Sequence, residues 1–301
     1  MPQTNALQIF LRKFYGTLRQ RPLLNCNYEK LKTKGAFFAC YLLFKCLGIH
    51  AQCASSNSAF KSGEQLSYSV VYNWGMVWLE SAHVSFSVKA ATAGNKPAYV
   101  FKGSGGTFPK YDWFFKVRDE FETTVDSASM RPLKFKADIA EGNKNDHHTY
   151  IFDLAKERAY TIITRGKKKT MVDTISFKPC NVDVLSAIYY ARNIDYSKYA
   201  VNDTISISVL LDGTVFPLYI RYLGKEVFNS PLFGKYNCIK FKPLLVEGSI
   251  FNAGEHMTVF VTDDKNKVPL YVETEIIVGK VKVSLSSMSG LKYPLDSKIE
   301  N

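Results

Sequence analysis

The chain has 301 residues, of which 46% are hydrophobic and 14% aromatic, so it can form a real core and global disorder is disfavoured. Its formal charge of +12 would suit a nucleic-acid-binding protein, but eight of the 39 basic residues and only one of the 27 acidic residues lie in residues 1–51. The remaining charge is nearly balanced and is not clustered with stacking aromatic residues, which argues against a nucleic-acid partner.

The N-terminal 51 residues have the three parts of an export signal. A basic segment, residues 30–34, precedes an apolar run from Gly35 to Ile49, and the small residue Ala51 follows. This order is typical of a signal peptide, so we expect cleavage after Ala51. The run is too short for a membrane-spanning helix, and Lys45 interrupts it. It would serve as a short membrane anchor only if cleavage failed.

Two alternatives concern the start and the anchoring of the mature protein. Residues 1–29 are unusual ahead of a signal peptide, and a true start near Leu31 would account for them. Lipid attachment at Cys53 would make the protein a lipoprotein, although the preceding residues 50–52 fit such attachment poorly. Export with cleavage after Ala51 is therefore the first interpretation.

Three cysteines remain in the mature chain, namely Cys53, Cys180 and Cys238. No two of them have the close spacing of a metal site. An oxidising compartment would permit a disulfide between Cys180 and Cys238. Two small buried thiols at these positions are an equally good interpretation.

From Gly63 onward, apolar and polar residues alternate with a period of two. The alternating segments are Leu66–Tyr72, Val84–Val88, Tyr150–Leu154, Tyr160–Ile162 and Ile205–Val209, with turn residues such as Gly94, Gly142 and Asp212-Gly213 between the runs. Strict alternation predicts strands with one buried face, so we expect a mainly β fold built from antiparallel sheet. The basic run Arg165–Lys169 is expected at a hairpin tip.

One segment has helical periodicity instead. Residues 183–193 place Val184, Leu185, Ile188 and Tyr189 on one apolar stripe, and Asp183 or Asn181 could cap the helix start. The helix divides the chain into a first β unit at 52–180, a connecting helix at 181–196, a second β unit at 197–292 and a tail at 293–301. We expect two related curved sheets or open half-barrels joined by this helix.

The two β units resemble each other. Asp126 and Asp263 both begin an Asp-x5-Pro-Leu segment, with Pro132 and Pro269 separated by 137 positions. Leu66–Val70 resembles Ile205–Val209, and Phe101-Lys102 recurs as Phe241-Lys242, at similar separations. Three matches in the same order predict an internal duplication in which each proline starts an equivalent strand.

Five segments together resemble a family of exported bacterial proteins that is classed as a domain of unknown function and is common in Bacteroidetes-type Gram-negative species. They are Gly63-Glu64-x-Leu66-x-Tyr68, Phe115–Asp119, Asp183–Arg192, Gly234–Lys240 and Thr262–Leu270. The resemblance covers roughly residues 60–292. It implies location in the periplasm or at the outer-membrane periphery, and curved antiparallel sheets similar to periplasmic lipoprotein carriers. It implies no particular reaction.

The sequence shows no familiar catalytic signature. It contains no Gly-x-Ser-x-Gly elbow, phosphate-binding loop or His-Glu-x-x-His motif. His147 and His148 are adjacent on a predicted strand, so they should point to opposite faces and not share a metal ion. Asp119 and Glu120 are likewise neighbours on a strand, so their carboxylates do not face each other across a cleft. We therefore expect a protein without catalytic activity, cofactor or metal.

All three tryptophans lie in two aromatic stretches that break the strand alternation, residues 72–78 and 108–115. We expect these stretches to meet at one end of a curved sheet, where they form either a ligand-binding rim or a lid over the core. The candidate ligand-binding residues are Tyr72, Trp74, Trp78, Trp113, Phe114 and Arg118. Arg118 and its neighbour Asp119 are interpreted first as a structural ion pair.

These features lead to three functional hypotheses. The first is an exported binding protein whose concave sheet holds an apolar ligand, such as a lipid or acyl chain, with peripheral association with the outer membrane. The second is a structural or interaction protein of the cell envelope, and the third is a glycan hydrolase. A continuous apolar cavity would favour the first, a filled core the second, and two carboxylates facing each other inside the sheet the third.

Overall fold

The computed structural model describes residues 56–74, 77–113, 116–230, 232–246, 253–275 and 279–300. They form one almost entirely antiparallel sheet of fifteen strands. The strands are β1 Gln65–Trp74, β2 Val77–Ala93, β3 Lys96–Thr107, β4 Val117–Asp126, β5 Pro132–Glu141, β6 Lys144–Asp153, β7 Arg158–Arg165, β8 Met171–Ser176, β9 Asn181–Asp183, β10 Thr204–Leu211, β11 Thr214–Ser230, β12 Gly234–Pro243, β13 Met257–Thr262, β14 Pro269–Glu275 and β15 Lys280–Ser289. The export signal predicted at residues 1–51 lies outside the described residues.

The strand order joins the two halves of the chain in the middle of the sheet. It runs β8-β7-β6-β5-β4-β3-β2-β1-β15-β14-β13-β12-β11-β10-β9, so β1 and β15 form the central pair. Every pair is antiparallel except β9 with β10. The mainly β, antiparallel class is therefore confirmed, and the two expected sheets are halves of one curved, open sheet.

The one α-helix of the described residues, α1 Val184–Asn193, lies where the sequence predicts it. The carboxylate of Asp183 caps it, accepting hydrogen bonds from the backbone N–H groups of Leu185 at 3.0 Å and Ser186 at 2.9 Å. Two short 3₁₀ helices, Pro109–Tyr111 and Tyr196–Lys198, complete the regular structure. No helix in the described part of the chain is long and apolar enough to cross a membrane.

Helix α1 fills the space between the two halves of the sheet. Leu185 and Tyr189 pack into the core of the first half, and the Tyr189 ring stacks on Phe101 with centroids 3.8 Å apart. The opposite side of α1, through Ala187 and Tyr190, packs against the core of the second half. The helix thus contributes apolar side chains to both cores.

The hairpin between β10 and β11 also enters the first half. Leu210 is buried in the first-half core, and Val215 packs against the same core from the other side of the turn. A side chain at Gly213, within that turn, would meet Ile163 of β7 at 3.4 Å. Phe60, fully buried ahead of β1, occupies the same interior. The concave side of the first half is therefore filled by protein.

The element order supports the predicted duplication. Strands β1 to β6 and β10 to β15 follow one another in the same antiparallel order, and β2 and β11 both have 17 residues. Pro132 begins β5 and Pro269 begins β14, the fifth strand of each set, as expected. The duplication itself remains a prediction that superposition of residues 63–139 on 200–276 would test.

The buried face predicted for β7 is wrong. In β7 the buried residues are Ala159, Thr161 and Ile163, whereas Tyr160 and Ile162 are only partly buried on the other face. Both faces of this strand carry apolar residues, so the pairing with β6 rather than the alternation decides which face is inside. In β1 and β10 the predicted face is the buried one, with Leu66, Tyr68, Val70 and Tyr72 buried in β1 and Ile205, Ile207 and Val209 buried in β10.

The predicted disulfide between Cys180 and Cys238 does not form. Cys238 is a buried free thiol in β12, packed with Leu66, Phe260 and Leu270. Cys180 is disulfide-bonded elsewhere. It directly precedes β9, and two strands separate β9 from β12, which places the two cysteines about 14 Å apart along the sheet. A disulfide spans about 7 Å between Cα atoms at most.

A buried ion pair ties distant parts of the chain together. Arg192 of α1 and Glu64, just before β1, are both 1% exposed at the side chain and form two N–H to carboxylate hydrogen bonds, at 2.5 and 2.8 Å. Arg192 also donates to the backbone carbonyl of Asn266 in the turn between β13 and β14. The amide of Asn266 in turn donates to the carbonyls of Tyr293 and Pro294.

Candidate functional site

The predicted aromatic rim is built around the connection between β3 and β4. A polar network fixes the base of this connection, because the Thr107 hydroxyl accepts from the backbone N–H of Val117 at 3.1 Å and donates to Asp112 at 3.1 Å. Arg118 donates to the same Asp112 carboxylate at 2.7 Å. Thr107 is fully buried, so the segment between the two strands is held at a buried anchor.

The anchored segment presents aromatic and basic groups. The Trp113 side chain is 84% exposed. Lys110 lies over the ring of Tyr111, with the amine 4.9 Å from the ring centroid, and 5.9 Å from that of Phe108. The combination of aromatic rings with a lysine is typical of surfaces that meet lipid headgroups or other amphipathic partners.

Trp78 lies at the neighbouring rim position, at the start of β2. It is 49% exposed, and the amine of Lys282 sits 4.0 Å from its ring centroid. The next residue, Leu79, is 38% exposed. We use the name aromatic rim for Trp78, Leu79, Lys110, Trp113 and Lys282. These residues lie at the same end of the sheet, where β1 and β3 end and where β2 and β15 begin.

The other predicted site residues are placed differently. Tyr72 is buried at 9% exposure with Val70, Ala82 and Val281, so it is part of the core and not of the rim. The side chain of Trp74 and the whole of Phe114 lie outside the described residues.

The expected pair between Arg118 and Asp119 is wrong. The two residues point to opposite faces of β4, and Arg118 pairs with Asp112 instead. Asp119 faces inward, is 2% exposed, and accepts a hydrogen bond from the backbone N–H of Ala140 at 3.1 Å. Burial raises the pKa of its carboxyl to about 7, and the hydrogen bond only partly offsets this rise.

Beneath the rim, the inner face of the first half carries a second polar group that the sequence did not suggest. Asp212, in the turn between β10 and β11, lies 3.5 Å from Arg165 of β7 and 3.7 Å from His148 of β6. Burial raises the pKa of Asp212 to about 6 and lowers that of His148 to about 4, so near neutral pH the imidazole is uncharged and the carboxylate faces Arg165. These three side chains therefore connect the turn between β10 and β11 in the second half to β6 and β7 in the first half.

His147 and His148 point to opposite sides of β6, as expected. The side chain of His147 is 61% exposed and contacts Asp138 at 2.6 Å, whereas that of His148 is 1% exposed. The described residues contain no cluster of three or more His, Cys, Asp or Glu side chains that could hold a metal ion.

Two grooves on the surface of the described residues are polar. One, of about 420 Å³, lies on the outer face of β2 to β5 and is lined by charged and hydroxyl side chains that include Lys102, Ser104 and Glu122. The other, of about 570 Å³, lies beside β8 and is lined by residues 156–158 and 174–176. Neither has the apolar lining expected of an acyl-chain cavity.

The fold and the rim together define a large, open, antiparallel β-sheet protein with exposed aromatic residues at one end. The chain belongs to the family described as a protein of unknown function, DUF3108, which it matches over residues 67–286. The resemblance to a domain of unknown function is therefore confirmed.

A solved structure supports the same architecture. The chain is similar to the beta-barrel-like protein of the domain of unknown function DUF1849 from Brucella abortus, with a TM-score of 0.50 and 6% identity, over 77% of this chain and 99% of that chain. At this identity the likeness shows the fold alone. No curated protein matches the chain.

Proposed function

We propose that the chain is an exported, non-catalytic binding protein of the bacterial cell envelope that takes an apolar group, such as the acyl chain of a lipid, at its aromatic rim. The observation that carries this proposal is Trp113, which is 84% exposed on a segment anchored by buried Thr107. A large apolar ring fixed in water stabilises the protein little, but it is well placed to enter a lipid or a partner.

The filled interior favours a ligand at the rim over one inside the sheet. Helix α1, Phe60 and the hairpin between β10 and β11 occupy the concave side of the first half. An acyl chain would therefore contact Trp78 and Trp113 from outside. Lys282, over the Trp78 ring, and Lys110, over the Tyr111 ring, would then meet a phosphate headgroup.

Vesicle binding tests this proposal. We expect the protein to sediment with vesicles of phosphatidylglycerol, and Trp113→Ala to weaken that binding by about tenfold because the ring loses its apolar contact. Thermal stability should hardly change, since the side chain is exposed. Leu232→Ala is the matched control, because Leu232 is 65% exposed at the opposite end of the sheet.

The second candidate is a structural or interaction protein of the envelope, and the filled interior is the observation that favours it. If the protein binds no vesicles, and native mass spectrometry of protein purified from its own envelope shows no bound lipid, the binding proposal is wrong and the structural one is preferred. Equal binding by Trp113→Ala and the parent would remove the rim from the proposal.

A further inference from the structure

The two edges of the open sheet differ in length and in exposure. The edge strand β9 has three residues, all of them buried, and α1 follows it directly. The edge strand β8 has six residues, and five of them are exposed. Within the described part of the chain, β8 pairs only with β7, so the backbone groups on its other side have no strand partner.

Strand β8 has few of the features by which proteins protect an exposed edge. Its pairing with β7 runs through six residue pairs without a bulge, and the strand contains no proline and a single charged residue, Asp173. Ile175 packs against the core of the first half, but Met171 is 50% and Val172 72% exposed. A regular edge with exposed apolar residues is a template on which a further strand can form.

The charge of the mature chain is concentrated beside this edge. Residues 52–301 contain 31 basic and 26 acidic residues, and the hairpin segment 158–178 holds six of the former and one of the latter. The rest of the mature chain has 25 of each sign, so the whole net charge of +5 lies in this segment. Among the ion pairs of the described residues, Arg165 is the one member of the six with an acidic partner, Asp212.

The basic residues lie at both ends of the edge. Lys167, Lys168 and Lys169 precede β8 in the hairpin tip and are all exposed. At the other end, Lys178 follows β8, and Arg158 lines the 570 Å³ groove beside residues 174–176 together with Glu157 and with Lys156, which pairs with Asp153. An occupant of this edge would therefore meet positive charge at each end and apolar or small side chains between.

We propose that β8 binds an extended acidic segment of a partner protein, which adds to the sheet as a sixteenth strand. The partner's backbone would pair with the open backbone groups of β8, and its terminal carboxylates would face Lys167–Lys169 and Arg158. Met171 and Val172 lie on opposite faces of β8, so partner side chains on each face would cover one of them. This site is separate from the aromatic rim and does not depend on its function.

Peptide binding measured by fluorescence anisotropy tests the proposal. The probe is a labelled peptide of alternating valine and threonine with acidic residues at both ends, and its partner probe carries N-methyl groups on alternate backbone nitrogens. We expect the first to bind and the second to bind at least about tenfold more weakly, because N-methylation removes strand pairing but leaves the charge. Equal binding of the two peptides would show attraction by charge alone and would overturn strand addition.

Protein variants test the charge. Lys167→Glu, Lys168→Glu and Lys169→Glu together should weaken peptide binding by at least about tenfold and remove its dependence on salt. The matched control is Lys61→Glu, Lys89→Glu and Lys96→Glu, a reversal of equal size at exposed positions away from β8. An equal loss in both variants would overturn the proposal, since the site would then not be β8.

Two further outcomes are decisive. If the protein sediments as a dimer whose formation Val172→Pro prevents, and no peptide binds, β8 is an interface between two copies and the proposal is wrong. If anionic vesicles bind to the lysines of the hairpin tip while the acidic peptide does not, the partner is a membrane and the proposal is again wrong. Circular dichroism of each variant confirms that the sheet is intact.

Discussion

Asp119 is a buried carboxyl group that forms no ion pair with the basic side chains of the described residues. It is 2% exposed and accepts one backbone hydrogen bond, from Ala140. In the unfolded chain its pKa is about 4, and burial raises it to about 7 in the folded protein. Between these two values the folded state binds more protons than the unfolded state, so stability falls as the pH rises through this range and is constant above it.

Replacement of Asp119 by asparagine should remove this penalty. The amide oxygen can still accept from Ala140, and no charge has to be buried. We expect Asp119→Asn to match the parent near pH 4 and to exceed its free energy of unfolding at pH 8 by up to about 4 kcal/mol. Urea unfolding at the two pH values measures this, with exposed Glu120→Gln as control. A difference that does not change with pH would contradict the assignment.

The burial of Asp119 and Arg192 can be recognised from the periodicity of the sequence. Asp119 has the same strand parity as Val117 and Val125, which are buried, and Arg192 has the same helical phase as Leu185 and Tyr189. A charged residue on an apolar face has to find a buried partner or change its protonation state. The burial of each charge could be predicted in this way, but not its partner, since Glu64 lies 128 positions from Arg192.

At the scale of single elements, α1 depends on one carboxylate. Asp183 is fully buried, caps the helix through Leu185 and Ser186, and accepts from the hydroxyl of Thr123 in β4 at 2.8 Å. The same side chain therefore starts the helix and fastens it to the sheet.

Asp183→Ala should cost about 2–4 kcal/mol, because the helix loses its cap and the Thr123 hydroxyl is left buried without this acceptor. Asp195 is the matched control. It caps the short 3₁₀ helix at Tyr196 in the same way but is exposed, so Asp195→Ala should cost about 1 kcal/mol or less. Thermal and urea unfolding compare the two. Similar losses would mean that the buried contact to β4 contributes nothing.

The positions of strands and turns were the most predictable features. Which face of a strand is buried was harder to predict. The alternation at Leu66–Tyr72 and at Ile205–Val209 identified the buried side correctly, because the opposite side is polar. In β7 both sides are apolar, so Tyr160 and Ile162 were assigned to the core in place of Ala159 and Ile163. The rim was predictable only as a departure from alternation, which cannot tell exposed Trp113 from buried Tyr72.

At the scale of the whole molecule, the pair of Glu64 and Arg192 links four regions that are far apart in sequence. It joins the start of β1, α1, the turn at Asn266 and, through that turn, the segment at Tyr293. Because both charged groups are fully buried, loss of one partner leaves the other without compensation.

Arg192→Met should therefore cost about 3–5 kcal/mol, and adding Glu64→Gln should restore part of the loss because no charge is then stranded. The exposed pair of Lys102 and Glu122, also 2.8 Å apart, provides the control, and Lys102→Met should cost less than about 1 kcal/mol. Urea unfolding of the three variants gives the comparison. A double variant no more stable than Arg192→Met alone would contradict this account.

The central position of the pair β1 with β15 has a consequence for how the chain acquires its structure as it is synthesised. Strand β1 emerges first of the strands but waits for β15, some two hundred residues later, before its second side is covered. Until then β1 is an open margin in what becomes the middle of the sheet. Such late, non-local pairing is slow and leaves intermediates prone to self-association. In a newly made chain, the edge of β1 is therefore open to self-association until β15 pairs with it, although the same edge lies inside the sheet of the folded protein.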